Sequence, residues 1–68
     1  MKTKAELFQE RYLYHRKGKI QRHGQATFNA ACDVCPEIAN ELRGTEFDCF
    51  YDDDKADIFL SKIFKNEE

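Results

Sequence analysis

Tryptophan is absent from the 68 residues, proline and methionine occur once each, and glycine three times. With no stretch rich in proline, glycine or serine there is no linker, so residues 1–68 are expected to form a single small domain. Cysteine occurs three times, an odd number that cannot close into a complete disulfide framework within one chain. A reduced, cytoplasmic protein is the expectation. No stretch approaches the ~20 apolar residues of a membrane span, and none has the form of a secretory leader, so neither membrane insertion nor export is indicated. Sustained alternation of apolar and polar residues and hairpin turns are missing too, which excludes a sheet-based fold.

What is present suits a small helical core. The chain is 41% hydrophobic, too apolar for a disordered tail, and its six phenylalanines can supply most of the apolar interior. A chain of this size buries only about 60% of its unfolded surface, so stability should be modest. Thr3-Lys4-Ala5-Glu6 has the form of a capping box opening a helix from about Lys4 to Lys17. Ala5, Phe8 and Tyr12 share one face of that helix, with Leu13 beside it, and Gly18 is a natural left-handed stop. A second helix starts between Lys19 and Gly24 and ends at Val34 or Cys35, with Phe28, Ala31, Cys32 and Cys35 as its buried stripe.

Pro36 disfavours the α conformation at Cys35 and suits the first position of a third helix, Pro36 to Leu42, which buries Ile38 and Leu42 and is closed by Arg43-Gly44. Glu46 to Tyr51 reads as a loop in which at least two of Phe47, Phe50 and Tyr51 dock on the helices. Asp52 to Asp54 offer caps for a last helix with Ala56, Phe59, Leu60, Ile63 and Phe64 on one face. The fold class is all-α: a compact bundle of three to four short helices with an aromatic-rich loop before the last.

The charges fall into two opposed blocks. Residues 11–23 carry Arg11, Arg16, Lys17, Lys19 and Arg22 with no acid, a net of +5, and residues 46–57 carry a net of −5. The acids have a local explanation as helix caps. The cations do not, because the positions four residues before Arg11, Arg16, Lys17 and Lys19 are Leu7, Tyr12, Leu13 and His15. Solvent, the acidic block and a partner remain as destinations. Arg11, His15, Arg16, Lys19 and Arg22 are therefore the candidate partner-binding residues, facing an acidic patch on another protein. Nucleic acid is the alternative, since Tyr12, Tyr14 and five cations make a stacking and phosphate surface, although a pI near 5.6 opposes it. A bipolar chain can also pair with a second copy as a homodimer.

Cys32-x-x-Cys35, with Cys49 and His23 or His15, has the residue types of a four-ligand zinc site. The cysteines lie on the stripe of Phe28 and Ala31, however, and a second closely spaced pair is missing. Core cysteines without metal or cofactor are expected, with a zinc-stabilised module as a further alternative. His23 with Cys32, or His15 with an acid, would need a third group to orient the base and donors for the developing charge. Neither is visible, so the chain is not read as an enzyme.

His23, Gln25 and Asn29 share one side of the second helix, beside Gly24, where a backbone can approach closely. They are read either as fixing the Arg43–Tyr51 loop or as a recognition face. The run His23-Gly24-Gln25-Ala26-x-Phe28-Asn29, then Pro36-Glu37-Ile38-Ala39, then Arg43-Gly44-Thr45-Glu46-x-Asp48-x-Phe50-Tyr51-Asp52-Asp53, resembles small accessory proteins of tailed phages and mobile elements. The resemblance covers about residues 20 to 54 and brings no catalytic residue or cofactor. It implies a host-cytoplasmic protein that binds and inhibits or redirects a host protein, defence systems included.

Overall fold

The Thr3 side chain accepts from the Glu6 backbone N–H and the Glu6 carboxylate accepts from the Thr3 N–H, so the capping box is formed and opens α1, Lys4–Arg16. The computed structural model describes residues 1–19 and 21–64, with Lys19 described by its backbone alone. A single 3-10 turn, Lys17–Lys19, follows α1, with Gly18 at φ 81°. Then come α2, His23–Val34, and α3, Pro36–Leu42, and a second 3-10 turn at Asp53–Lys55 leads into α4, Ala56–Ile63. The described residues contain no strand, and the protein is a small all-α bundle.

Pro36 acts as expected. Cys35 is driven to φ −143°, ψ 72°, which ends α2, and Pro36 takes the first turn of α3. The interior is built from Phe28 and Ala31 of α2, Ala39 of α3, Cys49 of the loop, and Ala56, Phe59 and Ile63 of α4. Phe28 stacks on Phe59 at 5.2 Å between ring centroids and meets the edge of Phe50 at 5.8 Å. Helix α4 thus buries the face read from its spacing, with Leu60 and Phe64 half-buried beside it. In α3 the fully buried residue is Ala39, and Ile38 and Leu42 are half-buried at its flanks.

Helix α2 is central, and small side chains make that possible. Gly24, Ala26, Thr27, Ala30 and Ala31 are buried with Phe28, because α1, α3 and α4 all pack against this helix. Thr27 is the exception to the apolar lining: it is 1% exposed, and its hydroxyl has no hydrogen-bond partner among the described residues. An unsatisfied buried hydroxyl costs about 1 kcal/mol or more. Thr27→Val keeps the shape and removes that hydroxyl. It is expected to raise stability by about 1 kcal/mol, read as a higher urea midpoint at unchanged slope; a lower midpoint would show that the hydroxyl is satisfied.

Helix α1 departs from the face read in the sequence. Ala5 is exposed, as is Leu13, while Lys4, Phe8, Arg11, Tyr12, His15 and Arg16 are the residues turned toward the rest of the protein. Those positions follow helical spacing, so α1 has one inner face, but only Phe8 on it is fully buried. The rotation has visible causes. Lys4 Nζ donates to the Ile63 carbonyl and lies over the Phe64 ring, and Phe8 meets Phe64 edge-on at 5.7 Å. Tyr12 donates or accepts at His23 Nδ1 over 2.8 Å. Polar bonds, not apolar periodicity, decide which way α1 faces.

Candidate functional site

The basic segment lies along the inner edge and end of α1 and on the connection to α2, and tertiary contacts engage much of it. Arg11 Nε donates to Asp33 Oδ2 at 2.8 Å, and His15 Nε2 meets the same oxygen at 2.8 Å. Asp33 lies near the end of α2, outside the acidic block, so sequence spacing within α1 gave no sign of it. Arg16 donates to the Gln21 carbonyl and Arg22 Nη2 to the Phe50 carbonyl at 2.8 Å. The side chain of Lys19 lies outside the described residues.

Bonds to carbonyls hold a guanidinium in place without cancelling its charge. Among the described side chains of the block, Arg11 is the one cation that meets a carboxylate, so the surface around Arg16, Lys17 and Arg22 stays positive. The opposed blocks do touch, but through the main chain. Arg22 reaches the Phe50 carbonyl, and the Gly24 N–H donates to Asp53 Oδ1 at 2.9 Å.

The acidic residues do cap, but not α4 itself, whose N-cap residue Lys55 makes no side-chain cap bond. Asp52 caps the 3-10 turn before α4 by accepting from the Asp54 N–H. Asp53 instead satisfies an N–H at the start of α2, where Arg22 supplies no side-chain cap. Asp48 accepts from the N–H groups of Gly44 and Phe50, folding the loop around its own carboxylate. Phe50 docks on Phe28 and Phe47 lies under the Lys62 ammonium, while Tyr51 is 82% exposed.

His23 and Asn29 do not fix the Arg43–Tyr51 loop. His23 bonds Tyr12 of α1, and Asn29 Nδ2 donates to Gln21 Oε1 at 2.8 Å, so this side of α2 secures α1 and the connection before α2. Gln25 is half-buried on the same helix. The loop is held by Arg22, by Gly24 and by Cys49, whose thiol donates to the Gly24 carbonyl at 3.3 Å. Burial, reinforced by the Asp48 charge, pushes the Cys49 thiol up to about 12. Cys32 and Cys35 are half-buried against the core, and burial raises the Cys32 thiol against the opposing pull of Arg43. Among the described residues no three His, Cys, Asp or Glu side chains gather where they could hold a metal. The two histidines of the zinc reading are committed to Asp33 and Tyr12.

Partial burial works against the charge on Asp33, yet the bonds from His15 and Arg11 outweigh it and hold the carboxyl below its ordinary value. A carboxyl depressed in the folded state adds stability above its unfolded value near ~3.9, and that stability is lost as pH falls through the folded value. Asp33→Asn is expected to lower stability at neutral pH, with the gap to the parent closing below about pH 4. Urea unfolding of both proteins across the acid range measures this; a gap that stays constant would contradict the assignment.

Outward, α1 presents Leu7, Leu13 and Tyr14, the last two 56% and 62% exposed. Arg11 lies over the Tyr14 ring at 4.5 Å. Tyr14 was read from the sequence as part of a stacking surface for nucleic acid, whereas Leu7 and Leu13 were not singled out as surface, the pattern having placed Leu13 near the core. Among the described residues no helix is long and apolar enough to cross a membrane. Comparison with protein-family models, curated proteins and solved structures finds no match for the chain.

Proposed function

We propose that this chain is a non-enzymatic interaction protein that binds an acidic patch on a protein partner. Its resemblance to phage accessory proteins suggests a factor that inhibits or redirects a host protein. The observation that carries the reading is the character of α1 and its end. This helix turns Arg11 and His15 inward onto Asp33 and leaves Leu7, Leu13 and Tyr14 in solvent, while Arg16, Lys17 and Arg22 at its end and beyond meet no carboxylate among the described residues. Surface helices ordinarily point their apolar residues inward. Apolar side chains rimmed by charge are the composition of a docking face, and the cations would steer an acidic partner toward it.

Affinity capture from a cell extract, with mass spectrometry and nucleic acid extraction from the same eluate, tests this. A protein should be recovered by the parent and lost by the Leu7→Ser/Leu13→Ser double variant, whose helical circular dichroism is unchanged. Recovery of RNA or DNA without protein, with filter binding that falls steeply as salt rises, would establish the nucleic-acid reading instead.

A further inference from the structure

A pocket of about 310 Å³ opens where α1 ends, between Tyr14, His15, Lys17 and Gln21. Its polar groups are oriented from behind. Asn29 Nδ2 donates to Gln21 Oε1 at 2.8 Å, which leaves the Gln21 amide N–H₂ directed at His15 Nδ1, 3.4 Å away. His15 Nε2 faces the Asp33 carboxylate at 2.8 Å and therefore carries a proton. The network has one consistent direction, from Asn29 through Gln21 and His15 to Asp33, and it sets the Gln21 amide with its donors toward the pocket.

What remains for a ligand is a set of donors. Lys17 is exposed and meets no carboxylate among the described residues, the Gln21 amide has a second N–H, and Tyr14 lines the wall. Arg11, paired with Asp33, lies over the Tyr14 ring and holds it in place. Asp33, the carboxylate bonded to His15, is already shared by Arg11 and His15 on one oxygen. A donor-lined, positive recess beside an aromatic ring fits an anion.

We infer that this pocket receives a single carboxylate, an aspartate or glutamate side chain of the protein partner. This rests on the proposed function and supplies its contact point. The neighbouring surface favours a compact anion over a polyphosphate backbone. Beyond Arg22, which reaches the Phe50 carbonyl, the segment that packs on the start of α2 carries the exposed acids Asp52, Asp53 and Asp54, which repel a continuing polyanion.

The test is a chemical-shift titration of the full chain, labelled with ¹⁵N, at low salt. Three probes are used separately: an end-capped tetraglutamate peptide, inorganic phosphate and a mixed single-stranded oligonucleotide. The peptide should give saturable shifts centred on Tyr14, His15, Lys17 and Gln21. Lys17→Ala, at an exposed site that does not threaten folding, should weaken it about tenfold, the size of one charge-assisted bond. Lys2→Ala, distant in the sequence and paired with Glu10, should leave the affinity unchanged.

Shifts spread over all the lysines and arginines, an unchanged Lys17→Ala, or tighter binding of phosphate or oligonucleotide would each overturn the inference. If Leu7→Ser/Leu13→Ser abolishes partner capture while Lys17→Ala affects neither peptide nor partner, the pocket assignment fails and the interaction reading survives. If the peptide binds as described but no protein is captured, the failure lies with the interaction reading.

Discussion

Gly24→Ala is expected to unfold the protein or bring it close to unfolding. By helix propensity alone the change should help, since alanine exceeds glycine by about 1 kcal/mol inside a helix. Tertiary packing gives the opposite sign. A Cβ at this position would lie 2.2 Å from the Cys49 carbonyl oxygen and 2.8 Å from Asp53 Oδ1. The first is main chain and cannot turn aside, and the second accepts from the Gly24 N–H itself. Relief would require the Cys49–Asp53 segment to move off α2, breaking the bonds from the Cys49 thiol and from Arg22.

Overpacking costs about 1–3 kcal/mol, and more where, as here, the obstructing atom is main chain. The total stability of a domain this size is roughly 3–10 kcal/mol. Loss of the helical circular dichroism at 25 °C, or a urea midpoint reduced by more than half, is the expected result. A variant as stable as the parent would show that the loop does not sit on α2 in this way.

Phe59→Ala should be of similar size and for a different reason. Phe59 has no solvent exposure, stacks on Phe28 and belongs to the buried cluster that joins α2, α3, the loop and α4. Removing such a ring costs the transfer free energy of its carbons plus the cavity left behind, about 3–5 kcal/mol. In a core this small little else can collapse into the space. Thermal unfolding should show a broad, early transition, whereas Phe59→Leu, which keeps most of the volume, should lose far less. Equal losses in the two variants would point to the ring stacking and not to the filled volume.

These two residues mark how far sequence reasoning reaches. Phe59 was legible because helix α4 has clean periodicity: Ala56, Phe59 and Ile63 recur where one helical face requires them. The capping box, the break at Cys35-Pro36 and the left-handed stops at Gly18 and Gly44 were legible for the same kind of reason. Each is decided by atoms within four residues of one another. Gly24 was legible as a place of close approach, but the group that approaches it, the Cys49 carbonyl, lies 25 residues away.

Helix α1 shows where such reasoning stops. Its apolar residues suggested a face through Ala5, Phe8 and Tyr12, and the structure exposes Ala5 and keeps the other two. Orientation is set by Lys4 on the end of α4, by Tyr12 on His23, and by Arg11 and His15 on Asp33. Each partner is distant in sequence and would suit several cations equally well. The same holds for Asp53, which by local logic caps the helix that follows it and in fact caps α2.

The sequence by itself determined that the protein is an all-α bundle of three to four short helices, where α1 opens, where α2 gives way to α3, and which face of α4 is buried, because capping, proline geometry and strong apolar periodicity are short-range. The tertiary structure alone decided that the opposed charge blocks meet through main-chain groups, that Asp33 takes up Arg11 and His15, and that Lys17 and Tyr14 border an open pocket. Electrostatic and hydrogen-bonding partners are chosen by proximity in space, and a weakly amphipathic helix such as α1 turns to whichever face its polar contacts satisfy.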